Sequence, residues 1–197
     1  MKATICILLS IVLGGYHSYG QEVAYEPEPL RPLLQLEMNC LMGSFGLQYE
    51  HPLDGQWTIG VETGLGFNYF LEIDPTDQEN RYRFWEETDL NLITAVEIKN
   101  IYNRNKLFEK GESLANNTGH YVSVRLGYAN GGTSLSDYPL NNAILSEVRW
   151  GAQWPDRCWG RLTNGFYVGL GYAVAPGAGS GVLYPVIDAT LGLLLIK

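Results

Sequence analysis

This 197-residue chain has only three cysteines, three histidines and 13 lysines and arginines, so thiol and imidazole ligands and cationic side chains are all scarce. Cys6 lies in the N-terminal apolar stretch, which leaves Cys40 and Cys158. Two cysteines do not make a disulfide framework, although the sequence leaves their pairing open. No Cys-x-x-Cys or His-x-x-x-His spacing occurs, so no zinc site is expected. The basic residues form no block, and 21 acidic residues outnumber them to give a formal charge of −8. Phosphate contacts need clustered Lys and Arg, so nucleic acid is excluded as a partner. Long apolar runs are also missing. Past residue 20 no run reaches the roughly 18 residues that a spanning helix requires.

The N-terminus carries the one targeting signal. Lys2 precedes a mostly apolar stretch from Ala3 to Gly15, and Ser18-Tyr19-Gly20 places small residues three and one before a cleavage point. This is the pattern of a secretory signal peptide, residues 1–20, and it is shorter than the ~20 apolar residues of a membrane anchor. No cysteine sits at the cleavage point, where Gln21 stands, so a lipid-anchored form is not expected. Residues 21–32 (QEVAYEPEPLRP) are acidic and rich in proline and read as an extended lead-in. Residues 33–197 are read as one domain.

What the chain has in quantity is glycine, 23 residues, and tyrosine, 13 residues. Both sit in period-2 patterns, which favour strands. In WTIGVETGLGFNYF (57–70) the apolar residues Trp57, Ile59, Val61, Leu65, Phe67 and Tyr69 are odd-numbered. The glycines on the even positions are not a phosphate loop, since no helix signal and no Lys-Ser/Thr follows. The strand is expected to run from Trp57 to Leu71. The same alternation runs through Leu90–Tyr102, His120–Asn130, Ile144–Trp154, Phe166–Val174 and Ile187–Leu195. Before Trp57 the phase flips: Leu34, Leu36 and Met38 are even, whereas Phe45, Leu47 and Tyr49 are odd. A tight turn or a β-bulge near Gly43 is required. A turn gives eight strands and a bulge seven. Short turns (51–56, 155–161) alternate with longer loops (72–86, 131–141), as in a spanning barrel. The exception is 103–117, which is long; there Asn103 is expected to cap a short helix near 104–110, with Gly111 just past its end.

Two barrels fit this pattern, a secreted soluble calycin-like barrel with an apolar interior and an outer-membrane barrel with the reverse. The minority face carries Glu50, Glu62, Glu97, Lys99, Arg125, Glu147, Arg149 and Asp188 among many Gly, Ser, Thr and Asn. Small residues mixed with both signs of charge suit a plugged lumen, and Glu62, Glu97, Lys99, Arg125, Glu147, Arg149 and Asp188 are read as a lumen charge network. The apolar face has no charge along the strand cores, as hydrocarbon demands. Aromatic residues near the strand ends, Trp57, Tyr69, Tyr102, Tyr128, Trp150, Trp154, Phe166 and Tyr172, are read as girdles at two interfaces.

LLQLEMNCLMGSFGLQYEHPL (33–53), the 57–70 stretch, and IYNRNKLFEKGESLANNTGHYVSVRLGY (101–128) together resemble the small outer-membrane β-barrel proteins of the Bacteroidota. In those, a tyrosine-rich strand enters a turn with Lys and Arg and returns through an Asn-rich step. The resemblance implies an all-β, antiparallel, up-and-down transmembrane barrel of about eight strands in the cell outer membrane of a Gram-negative cell. It implies a periplasmic connection at 103–117, and outer-membrane lipid and the barrel assembly machinery as partners.

Catalysis finds little support. His17 falls in the signal, and His51 and His120 border connections on the periplasmic side. His120 and Ser123 differ in parity and point to opposite faces, so no base and nucleophile are in reach. The charge network is either a polar path for ions or a structural set satisfying buried charges. Asp74, Asp77 and Glu79 do not match a calcium-loop spacing. Asn116-Asn117-Thr118 matches a glycosylation sequon but reads as turn chemistry. The expectation is a non-catalytic, cofactor-free outer-membrane barrel acting structurally or through its extracellular loops, whose partner the sequence does not name. The alternatives are a secreted calycin-like barrel holding an apolar ligand and, more weakly, an envelope lipid-modifying enzyme.

Overall fold

The computed structural model describes residues 28–41, 43–67, 90–130, 142–156, 159–174 and 181–196. They form eight strands: β1 (Leu33–Asn39), β2 (Ser44–Pro52), β3 (Trp57–Phe67), β4 (Leu90–Ile101), β5 (Gly119–Asn130), β6 (Ala143–Pro155), β7 (Leu162–Val174) and β8 (Gly181–Ile196). Each pairs antiparallel with its sequence neighbours, and β1 pairs with β8 to close the barrel. One short helix, α1 (Arg104–Glu109), and a 3-10 turn at Ala115–Asn117 occupy the β4–β5 connection.

The phase flip is a turn. Gly43 has φ +59°, a left-handed value that glycine adopts without steric cost, and Asn39 pairs with Ser44 across it. The barrel therefore has eight strands, not seven. The described part of the third strand ends at Phe67, and Tyr69 and Leu71 lie outside the described residues. The helix lies within 104–110 as expected, with Gly111 at φ +69° just beyond it. Asn103 stands at its N-cap, but its side chain does not cap the helix. Instead Asn103 Oδ1 accepts the His120 N–H at 2.6 Å and ties the start of β5 to the end of β4.

Alternation divides every strand between two surroundings. In β5 the burial pattern is strictly alternate, with Tyr121, Ser123, Arg125 and Ala129 inward and Val122, Val124, Leu126 and Tyr128 outward. The inward set is mixed. An apolar cluster of Ile101, Tyr121, Ala129, Leu145, Tyr167, Tyr184 and Val186 shares the interior with the charged residues, and its tyrosines touch Lys99, Arg149 and Glu147. Large inward side chains sit beside glycines: Tyr184 pairs with Gly171, where a Cβ would overlap the Tyr184 ring. Gly171→Val is expected to overpack this layer at about 1–3 kcal/mol. At about 2–4 °C of melting temperature per kcal/mol, thermal unfolding reads the loss directly. An unchanged midpoint would mean that the ring has room to move.

The β8–β1 seam ends abruptly. β8 has 16 residues and β1 has 7, and their ladder covers Thr190–Ile196 only. The Cys40 N–H still reaches the Ala189 carbonyl at 2.8 Å. Beyond it the Asp188 carboxylate accepts the N–H groups of Leu41 and Ala189 at 2.9 and 2.7 Å and so closes the ladder. Pro185 lies four residues further, on the same edge as Ala189, and has no N–H to offer a partner strand.

Candidate functional site

All nine Asp, Glu, Lys and Arg residues of the eight strands point inward: Glu37, Glu50, Glu62, Glu97, Lys99, Arg125, Glu147, Arg149 and Asp188. Positions i and i+2 of a strand share a face, so Glu97 with Lys99 on β4 and Glu147 with Arg149 on β6 form ready pairs. Register then joins the strands. Lys99 Nζ lies 2.9 Å from Glu50 of β2 and 3.9 Å from Glu97. Arg149 reaches Glu97 at 4.0 Å and also pairs with Glu147. Arg125 of β5 lies 3.4 Å from Glu147 and 2.9 Å from Glu62 of β3. The result is one alternating chain across the lumen, Glu50–Lys99–Glu97–Arg149–Glu147–Arg125–Glu62.

Neutral groups use the remaining valences. Ser123 Oγ donates to Glu97 at 2.6 Å, and the Tyr184 hydroxyl donates to Glu147 at 2.7 Å. Lys99 also donates to Gln153 Oε1 at 3.0 Å. Lys99 lies over the Tyr121 ring and the Arg149 guanidinium over the Tyr167 ring, at 4.7 and 4.2 Å from the centroids. Such charges are tolerable inside a protein only because each is paired and hydrogen-bonded.

Six of the seven residues predicted for the network, Glu62, Glu97, Lys99, Arg125, Glu147 and Arg149, are members of this chain. Asp188 is inward and fully buried, but its carboxylate serves the seam, with the Tyr167 hydroxyl 3.4 Å away. Glu50, counted on the inner face, forms one end of the chain. Glu37 and the inward tyrosines Tyr121, Tyr167 and Tyr184 were missing from the sequence reading. Parity was the available signal, since Tyr121 directly precedes outward Val122.

The predicted girdle residues Trp57, Tyr102, Tyr128, Trp150, Trp154, Phe166 and Tyr172 are all outward and exposed, and Tyr69 lies outside the described residues. The Trp150 indole N–H donates to the Tyr102 hydroxyl at 2.8 Å. His120 stands edge-on to both rings. It is exposed on the outer surface, whereas Ser123 Oγ faces the lumen, so the barrel wall separates the two.

The α1 end of the lumen is closed by backbone and amides. Asn116 and Asn117 hold left-handed φ values of +57° and +54° and are buried, so the sequon serves as a turn. Asn117 Oδ1 accepts the Arg31 N–H at 2.9 Å, and its amide nitrogen donates to the Arg31 carbonyl at 2.9 Å and to Glu50 at 2.7 Å. Arg104 donates to the carbonyls of Glu28, Leu114 and Thr118, which draws the lead-in across the mouth. Burial holds the Arg104 guanidinium below its usual range, with Glu28 and Glu50 pulling the other way.

At the turn between β1 and β2, Cys40 is a free thiol, and Cys158 lies outside the described residues. Burial first, and the Asp188 carboxylate second, push the Cys40 thiol above its ordinary range. Its alkylation at neutral pH is expected to be several-fold slower than that of a free thiol, because the thiolate is the nucleophile. An iodoacetamide rate matching free cysteine would contradict this. The predicted acidic loop residues Asp74, Asp77 and Glu79 lie outside the described residues.

Between the charge chain and the closed mouth is a polar cavity of about 30 Å³. That is room for roughly two waters, far below the ~300–1,000 Å³ of an organic ligand pocket. Comparison with known proteins finds no matching family model, no matching curated protein and no matching solved structure.

Proposed function

We propose that the protein is an integral outer-membrane β-barrel without a catalytic centre, acting structurally or through the segments that join its strands at the end opposite α1. One observation carries this reading. Every charged residue of the eight strands faces the lumen, and the outward positions bear none, while aliphatic and aromatic side chains cover the outer wall. Water does not require that sorting and a hydrocarbon solvent does, since a midplane Lys or Arg costs about 2–4 kcal/mol. Seven strands are 9 to 16 residues long. Tilted strands of roughly that length cross a bilayer. A calycin-like carrier needs an apolar, roomy interior, whereas this lumen is charged and filled.

In this reading residues 1–20 direct export, α1 and the closed mouth face the periplasm, and the assembly machinery inserts the barrel. Cell fractionation with gel mobility tests it. The protein is expected in the outer-membrane fraction, resistant to alkaline extraction, with unboiled and boiled samples migrating differently. A soluble protein with unshifted mobility would sink it.

A further inference from the structure

Glu37 differs from the other lumen glutamates. Glu50, Glu62, Glu97 and Glu147 each have a Lys or Arg nitrogen within 4.0 Å. Among the described residues Glu37 has none, and its contact is the Gln35 amide at 2.9 Å. Register explains the space around it. Glu37 pairs with Gly46 on β2 and with Gly192 on β8, so no side chain stands directly opposite it on either neighbouring strand. The carboxylate borders the polar cavity, and Asn116 borders the same cavity from the closed mouth. Asn116 is 6 % exposed, and its Oδ1 has no hydrogen-bond partner. A carboxylate without a cationic partner and an unused carbonyl oxygen thus line one cavity. Both are acceptors, and leaving such groups unmatched away from water is costly.

We propose that this cavity binds one small monovalent cation, of the sodium or ammonium kind, as the counter-ion of Glu37. One positive charge suffices: of the acids that border the cavity, Glu50 and Glu97 have cationic partners, and among the described residues Glu37 has none. A divalent ion is disfavoured, because calcium takes about six to eight oxygens with several carboxylates, and Lys99 and Arg149 line the same space. The volume of about 30 Å³ admits one ion with little water. Bound there, the cation ties β1, the shortest strand, to the turn at Asn116. The inference rests on the lumen alone and stands whichever solvent surrounds the barrel.

The test is urea unfolding of the full chain at constant ionic strength, with sodium chloride replaced stepwise by choline chloride, whose cation is too large for the cavity. The midpoint is expected to rise saturably with sodium by about 0.5–1 M urea. Glu37→Gln keeps the shape and removes the charge, and it is expected to fold and to abolish the sodium-specific rise. Equal midpoints in sodium and choline, or a rise that survives in Glu37→Gln, would overturn the proposal. So would a wild type indifferent to sodium whose midpoint falls as the pH rises in a Glu37-dependent way, since a proton would then neutralise the carboxylate.

Discussion

Arg125→Met is expected to lower the stability of the barrel by about 3–5 kcal/mol, the usual cost of removing one partner from a buried ion pair. Arg125 donates through Nε and Nη2 to Glu62 Oε2 at 3.2 and 2.9 Å, and the guanidinium is the cation that pairs with that carboxylate. Without it Glu62 faces the lumen uncompensated. Glu147 keeps Arg149 and the Tyr184 hydroxyl, so the damage falls mainly on Glu62. The double variant Arg125→Met/Glu62→Gln removes both charges and is expected to recover most of the loss, because replacing a whole buried pair is close to neutral. Equilibrium unfolding of the two variants decides. If Arg125→Met alone unfolds like the wild type, solvent screens Glu62 and the network is not held away from water as its burial indicates.

One residue away the expectation reverses in kind. Val124 points outward from the middle of β5, between Val122 and Leu126 on the same face. Val124→Arg is expected to destabilise the barrel by about 2–4 kcal/mol in lipid, the cost of a cationic side chain near the bilayer midplane. In a water-exposed barrel the same change would stay within about 0.5 kcal/mol. The pair of neighbours is informative because their requirements are opposite: Arg125 must keep its charge and Val124 must not acquire one. Measuring both in vesicles holds strand, height and backbone constant and changes only the face. A neutral Val124→Arg variant would remove the main support for a hydrocarbon surround.

Much of this was legible in the sequence because period-2 alternation is a local property. Parity alone placed Glu97 and Lys99 on one face and Val96 and Ile98 on the other, and the flip near Gly43 required a turn or a bulge there. Register between distant strands is not local. That Glu37 faces Gly46 and Gly192 depends on β2 and on the far end of the chain, so its lack of a base could not be read. Asp188 had the right parity for the charge network, yet its carboxylate closes the seam because β1 ends at Asn39. Asn117 looked like a turn residue and is one, but it also ties the lead-in at Arg31 to Glu50, contacts spanning 86 and 67 positions. Tyr102, Tyr128 and Tyr172 stand outward as parity placed them, whereas the lumen tyrosines Tyr121, Tyr167 and Tyr184 were not singled out.

The central claim is that the two faces of one strand meet two different solvents, and collision accessibility along β5 tests it most directly. Nitroxides are placed singly at positions 120 to 130 in a Cys40→Ser, Cys158→Ser background, with the protein folded in vesicles. Exposure to oxygen, which concentrates in hydrocarbon, is compared with exposure to a water-soluble nickel chelate. The account predicts period-2 behaviour, with 122, 124, 126 and 128 open to oxygen and shielded from nickel, most strongly near 124. Outward positions that collide freely with nickel, however regular their period, would contradict it and place the barrel in water.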